Sequence, residues 1–330
     1  MKTDITLEEA LTRASKGLRI KMEYSVSLLR KAERLAVTYD KENGYYLAFS
    51  GGKDSQALYH IAELSGVRFK AHMSLTSVDP PEVIRFVKRN YPDVQLHAPK
   101  KSIYAVAMEK RILPTSRVRW CCDEYKEGTG AGKVTLIGIR HEESHRRAKR
   151  NEVEISNYKF SGTLEGLDEY REEQRKKNAK GANITNATEE SAVGCIRGKE
   201  SLLISPIIHW TKQDVWEFLN DVVRVEHCCL YDEGYERIGC ICCPMSSKKN
   251  KLKEIQRWPH AKRNWIKVIK TTLQSGTFKE GSTWLKMQSL GQEENIDAIA
   301  EEIFDWWISG LSYDKWYAEK YLQYKIDFGE

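Results

Sequence analysis

The chain carries the run Tyr45-Tyr46-Leu47-Ala48-Phe49-Ser50-Gly51-Gly52-Lys53-Asp54-Ser55. Its first half is apolar and has the length of a β-strand, and the residues after it, from Gln56 to Leu64, have the pattern of a helix. Two adjacent glycines let the backbone turn with a positive φ and approach a ligand closely. A helix N-terminus directly after such a turn favours an anion through its unpaired N–H groups and its dipole. With the Lys53 ammonium and two serine hydroxyls added, this turn predicts a phosphate-binding site.

Strand-like and helix-like segments alternate around this turn. The predicted strands are 44–49, 68–75, 94–97, 133–139 and 202–204, and the predicted helices between them are 54–64, 81–90 and 102–111. Such alternation predicts an α/β fold with a mostly parallel sheet and helices on both faces. In such sheets ligands lie beyond the carboxyl ends of the strands, where Ser50, the segment 74–79 and Gly138 to Arg140 fall.

Outside this core the pattern is mainly helical. Residues 6–39 predict two helices, with Thr6 and Glu9 as a capping box, and further helices are predicted at 167–180 and from 211 to 223. A mobile loop is expected after residue 180. We therefore predict N-terminal helices at 1–40, a nucleotide-binding α/β domain at 41–205, and a helical region at 206–330 that is rich in Trp, Lys and Cys.

Composition narrows the class of protein. The 330 residues are 41% hydrophobic and 30% charged, which is typical of a globular protein. No apolar run approaches the roughly 20 residues needed to cross a bilayer, and the first residues lack the apolar region of a signal peptide. We expect a cytoplasmic protein without membrane contact.

A basic segment stands out near the end of the chain. Residues 248–270 contain nine Lys or Arg, with Glu254 as their one acidic residue and with Trp258 and Trp265 among them. This pattern is typical of the solvated face of a helix, which is the favoured interpretation. The alternative is a surface for nucleic acid.

The eight cysteines are grouped rather than scattered. Two are adjacent at 121–122, and five lie within 228–243, including the pair Cys240-x-x-Cys243 followed by Pro244. Thiolates from two parts of the chain can hold a [4Fe–4S] cluster or a structural zinc, and spacing does not separate the two. Buried free cysteines would explain one or two positions but not the grouping. The candidate ligands are Cys121, Cys122, Cys228 with Cys229 as its alternative, Cys240 and Cys243, whereas Cys195 is interpreted as structural.

A cationic loop follows the predicted strand 133–139. Arg140, Arg146 and Arg147 can bind phosphate or sulfate through their guanidinium groups. His141 and His145 have the spacing of metal ligands on a helix, but surface histidines are the simpler interpretation. We predict a second anion site at this loop.

Six motifs, taken in order, resemble the phosphoadenosine-phosphosulfate (PAPS) reductase family, which belongs to the PP-loop ATP pyrophosphatase superfamily. The resemblance covers about residues 25–250 and is carried by Ser50-Gly51-Gly52-Lys53-Asp54-Ser55, Ser77-Val78-Asp79-Pro80-Pro81-Glu82, Arg119-Trp120-Cys121-Cys122 with Lys126, Gly138-Ile139-Arg140-x-x-Glu143-Ser144-x-x-Arg147, Pro206-x-x-x-Trp210-Thr211-x-x-Asp214-Val215-Trp216, and Leu230-Tyr231-Asp232-Glu233-Gly234-Tyr235-x-Arg237-x-Gly239-Cys240-x-x-Cys243-Pro244. The pattern is most similar to the bacterial and phage branch that includes the DNA phosphorothioation sulfur-transfer proteins. It implies an adenine-nucleotide α-hydrolase-like fold, binding of an adenylyl nucleotide, and sulfur chemistry.

Two departures from PAPS reductases alter this expectation. Those enzymes have a degenerate phosphate loop, whereas this chain keeps the complete Ser-Gly-Gly-Lys-Asp-Ser of the relatives that cleave ATP. They also use a nucleophilic cysteine in a C-terminal tail, and here no cysteine follows Cys243. The paired cysteines instead resemble the cluster ligands of adenylylsulfate reductases and of cluster-bearing thiolation enzymes.

The resulting hypothesis is an enzyme that binds ATP with Mg²⁺, cleaves its α–β bond, and couples adenylation to sulfur transfer through a [4Fe–4S] cluster, with zinc as the alternative metal. The candidate catalytic residues are Lys53, Asp54 and Arg140, and the candidate nucleotide contacts are Ser50, Gly51, Gly52, Lys53, Asp54, Ser55, Gly138, Arg140, Ser144 and Arg147. The expected partners are a sulfur-donor protein such as a cysteine desulfurase and a nucleic acid acceptor. The alternatives are an adenylylsulfate or PAPS reductase that uses an external thiol, a non-catalytic nucleotide-binding subunit of a defence complex, and a zinc-stabilised binding module.

Overall fold

The computed structural model describes residues 4–126, 128–156, 159–181, 200–275 and 295–322. Cys195 and the loop expected beyond residue 181 lie outside these residues. The chain divides into two compact units. The sheet unit consists of Met1–Ser74, Pro81–His97 and Glu127–Ile238, and the helical unit consists of Leu75–Pro80, Ala98–Lys126 and Gly239–Glu330. The three regions expected from sequence, with boundaries at 40 and 205, remain a prediction.

The sheet unit is built on a mostly parallel β-sheet. Its strands are β1 (Tyr45–Ala48), β2 (Phe69–Ser74), β3 (Gln95–His97), β4 (Val134–Leu136), β5 (Val153–Ile155), β6 (Ser161–Gly162) and β7 (Leu202–Ile204), in the spatial order β3-β2-β1-β4-β7-β5-β6. The first five in that order run parallel, whereas β5 pairs antiparallel with both β7 and β6. The predicted α/β fold is therefore confirmed, and β5 and β6 are strands that the sequence analysis missed.

The strand order defines where a ligand can bind. From the central strand β1 the chain proceeds to β2 and β3 on one side, whereas β4 and β7 lie on the other side. After β1 the chain therefore continues towards one edge of the sheet, and after β4 it continues towards the other edge. Where two neighbouring strands connect in opposite directions, a crevice opens at their carboxyl ends. Residues 50–55 follow β1 and residues 137–147 follow β4, so the two predicted anion-binding segments border this crevice.

The predicted helices are present with shifts of a few residues at their ends, and α6 is a short helix that the sequence analysis missed. In chain order they are α1 (Leu7–Arg13), α2 (Lys16–Tyr39), α3 (Lys53–Ser65), α4 (Pro81–Asn90), α5 (Ile103–Lys110), α6 (Trp120–Tyr125), α7 (Leu164–Gly181), α8 (Lys212–Glu217), α9 (Lys248–Arg257), α10 (Pro259–Gln274), α11 (Ile296–Ser309) and α12 (Tyr313–Tyr317). The Thr6–Glu9 capping box is present at the start of α1. Helix α8 continues into a wider π turn, Phe218–Val222, which completes the segment predicted as one helix.

The helical unit has an aromatic core. The Trp265 and Trp307 rings lie 4.9 Å apart, and Tyr104 contacts Trp265 edge-on at the same distance. The Trp307 indole N–H donates to the Pro114 carbonyl at 2.6 Å. The expected C-terminal helical region is therefore confirmed, and the tryptophans of the basic segment belong to its core. Among the described residues, no helix combines the length and apolar character that crossing a bilayer requires.

Within the sheet, His72 of β2 is buried and held uncharged. Its ring stacks on Tyr46 at 4.1 Å with planes 2° apart, and its Nδ1 lies 2.9 Å from Nε2 of His97. Burial, together with the nearby His97 and Lys133, lowers the pKa of His72 to about 4. An unfolded histidine has a pKa of about 6.5.

We expect the free energy of unfolding to decrease as the pH falls from about 6.5 towards 4, because the unfolded chain binds a proton that the folded His72 does not. The pKa difference limits this loss to about 3 kcal/mol, and water reaching the ring reduces it. His72→Phe retains the ring stack and should flatten the dependence, as measured by urea unfolding across this pH range. His60 is also buried, and burial lowers its pKa. It should therefore preserve part of the pH dependence in the His72→Phe variant. The exposed control His145→Phe should keep the full slope, and equal slopes in both variants would contradict the prediction.

Candidate functional site

The turn after β1 can only be made by glycine at Gly51. This residue has a φ of +71°, and a Cβ there would lie 2.9 Å from Cγ1 of Val83 and 2.8 Å from Cγ2 of Val87, both on α4. The next residue, Gly52, is the N-cap of α3 and offers no side chain to the helix N–H groups. The two glycines therefore let the chain pass tightly under α4 and leave the start of α3 open for an anion.

Two serine hydroxyls hold this turn closed. Ser55 Oγ donates to the Gly52 carbonyl at 2.8 Å and accepts from the Ser50 amide at 3.2 Å. The two hydroxyl oxygens are 3.1 Å apart. Ser50 and Ser55, predicted as nucleotide contacts, thus also fix the backbone of the turn, so its N–H groups are oriented before any ligand arrives.

Tyr231 completes the start of α3, and the sequence analysis did not identify it as a site residue. The Lys53 amide donates to its hydroxyl at 2.8 Å, and that oxygen lies 3.4 Å from where a Cβ on Gly52 would stand. Trp216 packs edge-on against the Tyr231 ring at 5.0 Å, and burial raises the pKa of the phenol. A tyrosine hydroxyl accepts and donates, so Tyr231 has a proton to offer a phosphate oxygen. The available signal was its place in the motif 230–244.

Asp54 links two buried cations at the same place. Its Oδ2 lies 2.9 Å from Lys53 Nζ, and its Oδ1 accepts from Arg140 Nε at 2.6 Å. The Lys53 and Arg140 side chains are only 6% and 4% exposed. Burial alone would lower the pKa of Arg140, but the Asp54 carboxylate raises it above its ordinary value. The predicted catalytic residues Lys53, Asp54 and Arg140 are therefore brought into one ion-pair chain.

Gly138 allows the loop after β4 to approach the ion pairs of Lys53, Asp54 and Arg140. A Cβ at Gly138 would stand 2.9 Å from the Asp54 carbonyl oxygen, so a larger residue would push the loop away from α3. Arg140 Nη1 is 2.9 Å from Glu142 Oε2, and its backbone N–H donates to Glu143 at 3.0 Å. The two glycine contacts, at Gly51 and Gly138, explain why both loops can meet at the crevice.

Ser144 and Arg147 belong to the same loop. The Arg147 amide donates to Ser144 Oγ at 3.3 Å, and its guanidinium pairs with Glu143. Burial lowers the pKa of Arg147, and the neighbouring Arg237 acts in the same direction. Arg237 is a cation that the sequence analysis did not list among site residues. The crevice thus combines a helix N-terminus with Lys53, Arg140 and Arg147, an arrangement suited to a phosphate chain.

The helical unit brings four of the predicted metal ligands together. Cys121 and Cys122 lie on α6, and Cys240 and Cys243 lie on the turn before α9. Cys121 is electrostatically coupled to Cys240 and Cys243. The side-chain hydrogen bond with Cys121, together with the Arg119 guanidinium 3.0 Å from the sulfur, lowers the pKa of Cys122. The four cysteines therefore lie in the same unit, and Cys240 and Cys243 influence the charge of Cys121.

Cationic and hydroxyl donors surround these sulfurs. Lys126 Nζ lies 3.2 Å from Cys240 Sγ, and Thr76 Oγ1 donates to the same sulfur at 3.4 Å. The Cys240 sulfur is the largest cause that raises the pKa of Lys126. Neither Lys126 nor Thr76 was named as a site residue from sequence, although Lys126 lies in a quoted motif. Such donors stabilise thiolate charge, as the ligands of an iron–sulfur cluster require.

Cys228 lies in the sheet unit. It is 1% exposed, and burial raises its pKa to about 11. The seven cysteines of the described residues are free thiols. Within those residues, no three or more His, Cys, Asp or Glu side chains stand close enough to hold a single metal ion. Thiolates are ligands of both iron–sulfur clusters and zinc, so the donor chemistry of Cys121, Cys122, Cys240 and Cys243 fits either group.

Comparisons with known proteins agree with this geometry. A family model described as the phosphoadenosine phosphosulfate reductase domain matches residues 44–246. The chain is 27% identical over 250 residues to an uncharacterised protein of Methanocaldococcus jannaschii, covering 74% of this chain and 52% of that protein. It is 25% identical over 173 residues to an adenosine 5'-phosphosulfate reductase of Lysinibacillus sphaericus, covering 49% and 55%.

The chain spans about half the length of the curated relatives it matches. Among solved structures, it superposes on the FMN adenylyltransferase of Candida glabrata in complex with ATP with a TM-score of 0.39 and 14% identity. That superposition covers 71% of this chain and 67% of the other. The likeness is distant, and the fold follows from the strand order itself.

Proposed function

Because the chain belongs to the phosphoadenosine phosphosulfate reductase domain family, we propose that it binds ATP with Mg²⁺ at residues 50–55 and cleaves the bond between the α- and β-phosphates. The acceptor would attack the α-phosphorus, and pyrophosphate would leave with the electron pair of the broken P–O bond. The observation that carries this proposal is the chain of ion pairs from Lys53 through Asp54 to Arg140 at the open start of α3.

The proposed role of the turn is to hold the leaving pyrophosphate. The N–H groups of Gly51, Asp54 and Ser55 and the Lys53 ammonium would contact its oxygens. The Tyr231 hydroxyl, which accepts from the Lys53 amide, would donate its proton to one of them. These groups are fixed by hydrogen bonds within the protein, so they need little rearrangement as charge develops on the leaving group. Preorganised donors of this kind are the largest contribution to many enzymatic rates.

The remaining groups have supporting roles in this proposal. Asp54 would orient Mg²⁺ or the two cations with which it forms ion pairs. Arg140 and Arg147 would neutralise the charge left on the adenylyl group or the acceptor, and Gly138 and Ser144 would shape the loop that carries them. The contacts described above place all of these residues in the sheet unit at the crevice beside β1 and β4.

We also propose that Cys121, Cys122, Cys240 and Cys243 hold a [4Fe–4S] cluster. Such a cluster would supply electron transfer or a site for sulfur. Arg119, Lys126 and Thr76 support this assignment, because they lie against the sulfurs and would balance the thiolate charge. Cys228 remains a candidate further ligand, zinc remains the alternative metal, and the source of sulfur would be a donor protein such as a cysteine desulfurase.

A second candidate function is reduction of adenylylsulfate or PAPS to sulfite with an external thiol. The similarity to the Lysinibacillus sphaericus protein favours it, because the matched region is nearly half of this chain. In this reading the crevice would hold the sulfonucleotide, and Arg140 and Arg147 would face its sulfate.

The experiment is to purify the chain anaerobically and to supply ATP with Mg²⁺ in one reaction and PAPS with reduced thioredoxin in another. We expect pyrophosphate from the first reaction and no sulfite from the second, because the turn is complete and suited to a pyrophosphate leaving group. Iron and sulfide analysis of the same sample tests the cluster. Sulfite without pyrophosphate would favour the second candidate, and tight ATP binding without turnover would identify a non-catalytic nucleotide-binding subunit.

A further inference from the structure

The basic segment 248–270 concentrates the charge of the whole chain. Its nine cations and one carboxylate give it a formal net charge of +8, and because the chain as a whole carries +6, all other residues together carry −2. The positive charge of this protein is therefore a local property of one segment. A local excess of this size needs a structural or functional explanation.

The structure separates the segment into a buried face and an exposed face. Helices α9 and α10 meet at Trp258, which is 4% exposed, and Trp265 is 1% exposed. The one carboxylate, Glu254, is buried and accepts from the Cys242 amide at 2.7 Å. The aromatic and acidic residues of the segment thus serve the interior of the helical unit, and its exposed face carries no acidic side chain of its own.

Neighbouring carboxylates neutralise only part of this charge. On α11, Glu301 pairs with Lys262 at 2.9 Å and Asp297 pairs with Lys270 at 2.6 Å. Lys251 is 2% exposed. Four exposed cations, Lys248, Lys249, Arg263 and Lys267, form no ion pair with any residue in the described ranges. Their charge is directed to solvent.

The exposed face also carries neutral groups that form hydrogen bonds. Asn250, Gln256, His260 and Asn264 are exposed between the four cations. Lysine, arginine, asparagine and glutamine are among the side chains that contact the phosphates and sugars of nucleic acids. We propose that this exposed face of α9 and α10 binds the phosphate backbone of a nucleic acid, without preference for base sequence.

The same face is poorly suited to a membrane surface. A helix that lies on a bilayer inserts a stripe of Trp, Phe or Leu. In this segment Trp258 and Trp265 are buried in the protein, and Leu252, 46% exposed, is the one large apolar side chain of residues 248–270 that is exposed. An anionic bilayer is therefore the less suitable partner, and it serves as a competing outcome of the test.

The test is fluorescence anisotropy with a fluorescein-labelled duplex of mixed sequence, in the absence of ATP. Four phosphate contacts would give a plot of log affinity against log salt with a slope of about −3.6, measured between about 50 and 200 mM salt. The double variants Lys248→Gln/Lys249→Gln and Arg263→Gln/Lys267→Gln should each make this slope less steep by about 2 and weaken binding at low salt by at least about tenfold. Circular dichroism checks that both variants remain folded.

A matched control removes the same charge elsewhere. Lys16 and Lys31 are exposed on α2 in the sheet unit, and Lys16→Gln/Lys31→Gln should leave both the slope and the affinity unchanged. An equal loss in this control, an absence of salt-dependent binding, or binding to phosphatidylserine vesicles but not to the duplex would overturn the proposal. Because ATP is absent, the outcome is independent of the proposed ATP cleavage.

Discussion

Replacement of Arg140 by Met should lower the free energy of unfolding by about 3–5 kcal/mol. The Arg140 side chain is 4% exposed, and it contacts the carboxylates of Asp54 and Glu142. Its Nη1 also lies 3.4 Å from the Trp210 carbonyl. Removal of the guanidinium leaves Asp54 with one cationic partner in a site of limited solvent access. Breaking one side of a buried ion pair is costly because the other charge stays desolvated. Urea unfolding measures the effect.

Two further variants separate the causes. Glu142 is 52% exposed, so Glu142→Gln should cost less than about 1 kcal/mol, as expected for an exposed ion pair. Asp54→Asn combined with Arg140→Met should be less destabilising than the sum of the single variants, because each single variant already loses the Asp54–Arg140 ion pair. Additive effects would show that Arg140 does not stabilise the protein through the buried ion pair. A decrease in the free energy of unfolding for Arg140→Met as small as that for Glu142→Gln would show the same.

Lys53→Met should reduce the rate constant for pyrophosphate release by about 100- to 1000-fold. The ammonium is almost fully buried, it lies 2.9 Å from Asp54, and it stands 6.0 Å from the centre of the Tyr231 ring. The KM for ATP should change less than kcat, since the backbone N–H groups and Arg140 still hold the phosphates while the charge on the leaving group loses its nearest cation.

The comparison for this variant is Lys88→Met, which removes an exposed lysine from α4 in the same unit. It should keep the parent kcat and KM. Steady-state measurement of pyrophosphate release with ATP and Mg²⁺ gives both constants for each variant. If Lys53→Met kept the parent kcat, the leaving pyrophosphate would not occupy the start of α3, and the proposed chemistry at this turn would be wrong.

Much of the architecture could be predicted because it depends on local sequence. The alternation of short apolar runs with helical patterns located β1, β2, β3, β4 and β7. The serine–glycine turn identified the anion site, and the geometry explains its glycines through the contact of Gly51 with α4. Strands β5 and β6 were missed because neither is an apolar run, unlike β7: β5 has Glu154 at its centre, and β6 consists of Ser161 and Gly162.

The pairings that complete the site could not be predicted in the same way. Asp54 and Arg140 are 86 residues apart, and Lys53 and Tyr231 are 178 residues apart. No spacing rule connects residues at such separations, because the crossing of the chain through the sheet brings them together. The tryptophans at 258 and 265 show a related effect. Their position among lysines was compatible with a surface role, and the packing of α10 with α11 placed them in a core.

The hydrogen bond from the Lys53 amide to the Tyr231 hydroxyl has a consequence for biosynthesis. A chain leaving the ribosome exposes the serine–glycine turn early, but the tyrosine that closes it emerges only after 178 further residues have been added. The strand β7, which borders β4, also emerges late. The nascent protein therefore carries an unfinished turn while those residues are being synthesised. A nucleotide that requires the closed turn cannot assist folding until that late segment has arrived.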